Sequence, residues 1–241
     1  MKKLYTIGHS NFEFSYLVER LKKYEVDWVF DVRSTAHSAY APQYNSENLC
    51  EMLPKYGIEY FEMGEYFGAR QIGEQYRYCY PNGYLDFELW CKTIPYLKAK
   101  KGLLTRGITK HNIALMCTEK NPIDCHRTIM ITRDFELDGI EAYHILGNGN
   151  LKTQKQLTED ILNSYLVNQK YTPSKLERIK GQGAFDLFGL GNDDIFFEDI
   201  AEEPEEIWTE IDRAEQIAEA YRQRNKKIGY RIFNNEGRVT D

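Results

Sequence analysis

From residue 4 to about residue 167, short β-prone runs alternate with stretches of helical periodicity, and that alternation constrains the fold more than any other feature. Leu4-Tyr5-Thr6-Ile7 is a strand stopped by Gly8. Ser10-Asn11-Phe12-Glu13 has the spacing of a capping box with Ser10 as N-cap, and Phe14, Leu17, Val18 and Leu21 follow at i, i+3, i+4, i+7. Trp28-Val29-Phe30-Asp31-Val32 is nearly all apolar, as a strand buried on both faces must be. Asn45 is placed to cap a second helix carrying Leu49, Met52, Leu53 and Tyr56, and Gly57 ends it. Glu59–Met63, Ile113–Cys117 and Ala142–Leu146 are further strands. Helices are expected over about 84–98 and 124–137, and again through Leu157, Ile161, Leu162 and Tyr165. Strand–helix units this short require right-handed crossovers. The expected fold is therefore α/β, a mostly parallel sheet with helices on both faces. About five strands are too few for an eight-stranded barrel.

Past residue 170 the pattern changes. The α/β domain is expected to end there, followed by a Gly-rich linker over 171–192 and an acidic extension over 193–241, a helical and strand-like appendage. Ile207, Ile211, Ala214, Ala218 and Tyr221 fit an amphipathic helix, and Tyr230-Arg231-Ile232-Phe233 reads as strand. The charge follows this division. Residues 1–190 carry 24 Lys and Arg against 23 Asp and Glu, whereas residues 191–241 carry 7 against 14. The net charge of −6 thus belongs to the tail and does not exclude an anionic ligand for the body. No run of about 18 apolar residues exists, so no membrane partner is expected. The polar start and five scattered cysteines, an odd number, fit neither a signal peptide nor a secreted disulfide frame, and a cytoplasmic location is expected.

In parallel sheets, ligands bind outside the carboxyl ends of the strands. Those ends carry Gly8-His9-Ser10-Asn11, Asp31-Val32-Arg33-Ser34 and Cys117-Thr118-Glu119. The densest segment continues through Asp124-Cys125-His126-Arg127, read as a turn followed by a helix with Asp124 as N-cap. A helix start favours an anion and lowers a thiol pKa, so Cys117 or Cys125 is a thiolate candidate. A phosphatase loop fails, because Ile123 rather than Arg stands six residues after Cys117, and no C-x-x-C supports a thioredoxin site. Cys117, Cys125 and His126 with His9 offer zinc donors, but at a spacing matching no paired-knuckle pattern, so no metal ligand is assigned.

These segments resemble a known family. Thr6-Ile7-Gly8-His9-Ser10-Asn11, Asp31-Val32-Arg33-Ser34 and Leu115-Met116-Cys117 with Glu119, Pro122 and Cys125-His126-Arg127 resemble the signature of domain-of-unknown-function family 488. Pro42-Gln43-Tyr44-Asn45 is similar to its Pro-x-Phe-Asn segment and His144-Ile145 to its closing strand, so the likeness spans roughly residues 3–146. Glu65-Tyr66-Phe67-Gly68 departs from the family's usual Leu-Gly-Gly step, and the tail after about 170 lies outside the common domain. The resemblance implies a pocket of His9, Asp31, Arg33, Cys117, Glu119, Cys125, His126 and Arg127, and no reaction or cofactor.

Three functions compete. The favoured one is an enzyme acting on a phosphate-containing ligand, a nucleotide or nucleic-acid component. Arg33, Arg70 and Arg127 would hold the anion, Ser10 and Asn11 would line the site with Tyr44, and loop tyrosines, Tyr40, Tyr44, Tyr66, Tyr76, Tyr78 and Tyr80, would stack on a base. Asp31 or Glu119 would act as base and His9 or His126 as acid. The second is a thiol- or zinc-dependent enzyme centred on Cys117, Cys125 and His126. The third is a binding module using 181–221, where Gln182–Phe188 resembles the glutamine-and-aromatic peptides that dock on sliding clamps, with the Gln misplaced.

Overall fold

The computed structural model describes residues 2–170 and 210–231. The expected linker, the acidic run at 193–206 and the end of the Tyr230–Phe233 run lie outside the described residues. In chain order the elements begin β1 (Leu4–Gly8), α1 (Phe14–Lys23), β2 (Trp28–Asp31), α2 (Ser46–Met52), β3 (Glu59–Glu62), α3 (Gly64–Phe67) and α4 (Phe87–Trp90). They continue with α5 (Ile94–Gly102), β4 (Ile113–Cys117), α6 (Arg133–Leu137), β5 (Ala142–Ile145), β6 (Leu151–Thr153), α7 (Gln154–Lys170) and α8 (Glu210–Ile228). A π-helical segment, Arg127–Thr132, leads into α6.

The sheet has six strands in the order β3-β2-β4-β1-β5-β6, all parallel except the last. β1 and β4 lie in the middle and are buried at every position, which is why both read as unbroken apolar runs. On one face Tyr5, Ile7, Val29, Ala114, Met116 and Ile145 form the core with Leu17, Val18 and Leu21 of α1 and Leu49 of α2. The opposite face has a polar centre. His144 Nδ1 accepts from Thr6 Oγ1 at 2.9 Å, and its Nε2–H donates to Gln154 Oε1 at 2.8 Å. Thr132 Oγ1 donates to the same oxygen at 2.6 Å, and Gln154 Nε2 donates to Tyr221 Oη at 2.8 Å. Every group in this chain is paired, so the polar core is affordable.

The chain divides into two compact units, Met1–Leu157 with Tyr221–Asp241, and Thr158–Ala220. Within the first, Asn225 Oδ1 accepts from Phe87 N and its Nδ2 donates to Leu85 O, tying the end of α8 to the start of α4. Within the second, Arg213 pairs with Glu159 at 2.5 Å. Among the described residues no helix is long and apolar enough to cross a membrane.

Four local expectations are corrected. Ser10 caps nothing: it sits at φ 51° in a loop whose amide donates to Thr118 O, and α1 begins only at Phe14. The 84–98 helix is two helices, because Asp86 caps α4 through Leu89 N and Pro95, lacking an N–H, can enter only the first turn of α5. Asn45 stands at the N-cap of α2, but its side chain accepts from Ser38 N instead. Asp124 closes a short 3-10 turn and accepts from Asn121 Nδ2 and Arg224 Nη1, while the carbonyl of the extended Cys125 accepts from the amides of Thr128 and Ile129.

Candidate active site

After β1 the chain turns to the face that α1 covers. After the adjacent β4 it turns to the opposite face, where Thr128 of the π-helical segment approaches His144. Neighbouring strands whose connections leave on opposite faces open a crevice at their carboxyl ends, the usual ligand position in such sheets. The two loops meet there directly: His9 N donates to Cys117 O at 3.0 Å and Ser10 N to Thr118 O at 2.8 Å.

At the β4 side of that crevice four donor groups converge. One ligand atom each from Cys117, Glu119, Cys125 and His126 lies within 4.8 Å of the others. Glu119 Oε2 is 2.9 Å from Cys117 Sγ and 2.8 Å from Cys125 Sγ. His126 Nε2–H donates to Val32 O at 2.9 Å, which fixes the tautomer and turns the Nδ1 lone pair toward both sulfurs, at 3.7 and 3.9 Å. Cys117, Cys125 and His126 are buried, whereas Glu119 rides on the exposed loop 118–121. Burial holds the Cys117 thiol well above its usual range. At Cys125 burial acts the same way but is overcome by Cys117, Arg127 and His126, so this thiol lies well below the usual range. Burial and the Cys125 charge raise Glu119. His126 is raised against the effect of burial by Cys125 and Glu119. His9, which the sequence offered beside these donors without assigning a metal, is not in the cluster; Glu119 stands there because the loop after β4 folds back over Cys117.

His9 belongs to a separate network. Arg33 Nε donates to both Asp31 oxygens at 2.9 and 3.0 Å, and its Nη2 donates to Asp31 Oδ2 at 2.5 Å and Tyr44 O at 2.7 Å. Tyr60 Oη also donates to Asp31, at 2.7 Å. Arg33 Nη1 donates to His9 Nε2 at 3.2 Å, and His9 Nδ1–H donates to Ser10 O at 2.7 Å. The ring of His9 stacks on Tyr44, which is itself buried. Both His9 nitrogens and both Asp31 oxygens are therefore engaged within the protein. Tyr44 is engaged likewise, its hydroxyl donating to Phe12 O at 2.8 Å.

The remaining candidates disperse. The Arg70 guanidinium stacks on Tyr230 at 4.5 Å, and Asn11 is exposed with its Oδ1 accepting from Ser10 Oγ. Among the loop tyrosines Tyr40 is 99% exposed and Tyr78 is exposed, whereas Tyr80 is buried with its hydroxyl on Gln71 O and Tyr76 packs on Trp90. Arg127 is buried at the crevice, its Nη1 donating to Glu119 O at 2.8 Å. Arg20 belongs to none of the motifs of the sequence. It is buried between the rings of Phe12 and Tyr16, at 4.9 and 4.7 Å, and a cation on the flank of the apolar stripe of α1 was the available signal.

Two of the buried histidines, His9 and His144, give a measurable pH dependence. Burial and Arg33 push His9 down to about 4, and burial and Arg127 push His144 down to about 3. Both are depressed below an unfolded value of about 6.5, so the unfolded chain binds the protons first, and stability falls as pH drops below about 6.5. Between pH 7.5 and 5 each histidine is expected to cost about 2 kcal/mol. Urea titrations across that range should show the loss, and His144→Gln should remove about half of it.

The family described as Domain of unknown function DUF488 matches residues 13–133, a span that contains β2 to β4 and the whole Cys117–His126 cluster. Comparison with curated proteins and with solved structures found no match. The match covers half of the chain, and the chain belongs to the DUF488 family.

Proposed function

We propose that the chain is a zinc-dependent enzyme whose metal is held by Cys117, Cys125 and His126, with Glu119 as a fourth, exchangeable ligand. The observation that carries this reading is the orientation of His126, whose Nε2–H is anchored on a backbone carbonyl while Nδ1 faces two buried sulfurs. Metal-bound histidines are held by an outer partner in this way. With Zn–S near 2.3 Å and Zn–N near 2.0 Å, a tetrahedral ion separates sulfur and nitrogen by roughly 3.5 Å. The observed 3.7 and 3.9 Å come close to that edge. Sulfur–oxygen distances of 2.8 and 2.9 Å are too short for the same ion, so Glu119 moves outward when metal enters. Three fixed donors and one displaceable donor on an exposed loop are the composition of a catalytic zinc site rather than a structural one. Bound zinc supplies Lewis acidity there. The thiols are too deeply buried to act as free nucleophiles, which favours metal over thiol chemistry.

Protein purified without chelator should carry stoichiometric zinc by mass spectrometry of the metal. Cobalt added to the stripped protein should produce thiolate charge-transfer and tetrahedral d–d absorption. Cys125→Ser should abolish both signals. Glu119→Gln should retain the metal, with affinity reduced about 10- to 100-fold at most. Wild-type protein that takes up neither metal overturns the reading.

A further inference from the structure

We infer that the crevice holds the phosphate group of a substrate, gripped from below by Arg127 and Arg20 and from the rim by Lys120. Its part in a reaction rests on the zinc reading, since the same crevice holds the Cys117–His126 cluster; the binding itself does not.

Three observations carry it. Arg20 and Arg127 are each 1% exposed, and among the described residues neither has a carboxylate within ion-pair distance, unlike Arg33, which Asp31 neutralises. Among the described residues, Arg20 Nη2 and Arg127 Nε are also the buried side-chain polar atoms that find no hydrogen-bond partner. A buried charge with an idle donor is the exception that calls for a missing partner.

Both cations are anchored on the loops that follow β1, β4 and β5. Arg127 is fixed at the loop after β4 through Glu119 O, and its Nη2 lies 3.1 Å from the position a Cβ on Gly8 would take. Arg20 is fixed at the loop after β5, with Nη1 on Leu146 O at 3.4 Å, and stacks on Phe12 of the loop after β1. Lys120 Nζ lies 5.5 Å from the centre of the same Phe12 ring, and its Cε is 3.0 Å from the Cβ position of Gly147. Arg127 also depresses Arg20, after burial, so the two charges act on one another in the interior. The Glu119 carboxylate is turned away toward the sulfurs and gives Arg127 only its backbone carbonyl.

The charge selects the ligand class. Two guanidiniums and an ammonium match a phosphate dianion, whose several oxygens can accept from forks set at different angles. A planar carboxylate carries one charge and meets one fork.

The test uses the full-length, zinc-loaded protein with inorganic phosphate, and with acetate at equal ionic strength, read by calorimetry and thermal melting. Phosphate should bind saturably and raise Tm, and acetate should not. Arg127→Met and Arg20→Met should each weaken phosphate binding at least tenfold. In anion-free buffer they should still fold and melt within a few degrees of wild type, because the unpaired buried charge that each removes offsets the hydrogen bonds lost with it. The exposed Lys120→Met, which carries no risk to folding, should weaken binding several-fold. Zinc content should stay unchanged in all three variants. Wild-type protein that fails to bind phosphate while holding zinc overturns this inference alone, as does acetate binding equally well. Phosphate binding that depends on Arg127 in a protein without zinc supports the anion site and overturns the zinc reading instead.

Discussion

Gly8→Ala is expected to destabilise the protein by about 3 kcal/mol or more and to dismantle the candidate metal site at the same time. A Cβ on Gly8 would stand 2.0 Å from Glu119 O and 2.9 Å from Glu119 C. Both are backbone atoms, so no rotamer change relieves the clash, and the loop after β4 must retreat by more than an ångström. Its retreat breaks the bond from Arg127 Nη1 to Glu119 O and strains those from His9 N to Cys117 O and Ser10 N to Thr118 O. Each such bond is worth about 1 kcal/mol net, and more where a buried donor is left idle. The Glu119 carboxylate leaves with its backbone. Gly102→Ala is the matched control: that glycine is helical, at φ −60° and ψ −44°, with nothing within 4 Å of the added carbon. It should be neutral or stabilising by up to about 1 kcal/mol. Chemical denaturation of both variants, with zinc content measured in parallel, checks the pair. An unperturbed Gly8→Ala protein would refute the close approach of the two loops.

Asp31→Ala should cost about 3–5 kcal/mol, the usual effect of removing one partner from a buried ion pair. Asp31 is completely buried, and it accepts from the Arg33 amide as well as from the Arg33 guanidinium and Tyr60 Oη. Its removal leaves a guanidinium without a counter-charge and a phenol without an acceptor. Replacing both charges in Asp31→Ala/Arg33→Met should recover much of the loss, because the uncompensated charge accounts for most of it. A double-mutant cycle by urea unfolding measures the coupling, and a strictly additive cycle would show that the pair contributes nothing. With Arg33 gone His9 also loses the charge that depresses it after burial, so its pKa should rise, visible in the ring proton shifts.

Much of the fold was legible because it depends on local periodicity. The apolar runs at Leu4–Ile7 and Ile113–Cys117 could be buried only as central parallel strands, and the i, i+3, i+4 stripe of α1 covers one face of them. β6 is not legible in the sequence, because three residues, Leu151–Thr153, carry too little pattern to mark a strand. The caps were misread for a different reason. Ser10, Asn45 and Asp124 all have side chains suited to capping, but each segment is held by longer-range partners: Thr118 for Ser10, Ser38 for Asn45, Arg224 for Asp124. Local preference of this kind is worth about 1 kcal/mol and yields to tertiary bonds.

The sequence by itself determined that chemistry-bearing residues stand at the carboxyl ends of the strands, since a parallel sheet delivers every strand end to one side. It named Cys117, Glu119, Cys125 and His126 among them. Only the tertiary structure decided which of these residues meet. The order β3-β2-β4-β1-β5-β6 sets β4 between β1 and β2. That order brings His126 to Val32 O and folds Glu119, not His9, over the sulfurs. It also commits Asp31 and His9 to Arg33, and leaves Arg127 Nε and Arg20 Nη2 buried without a hydrogen-bond partner among the described residues. Which donor pairs with which acceptor depends on the lateral order of strands far apart in the chain, and spacing along the chain carries no record of that order.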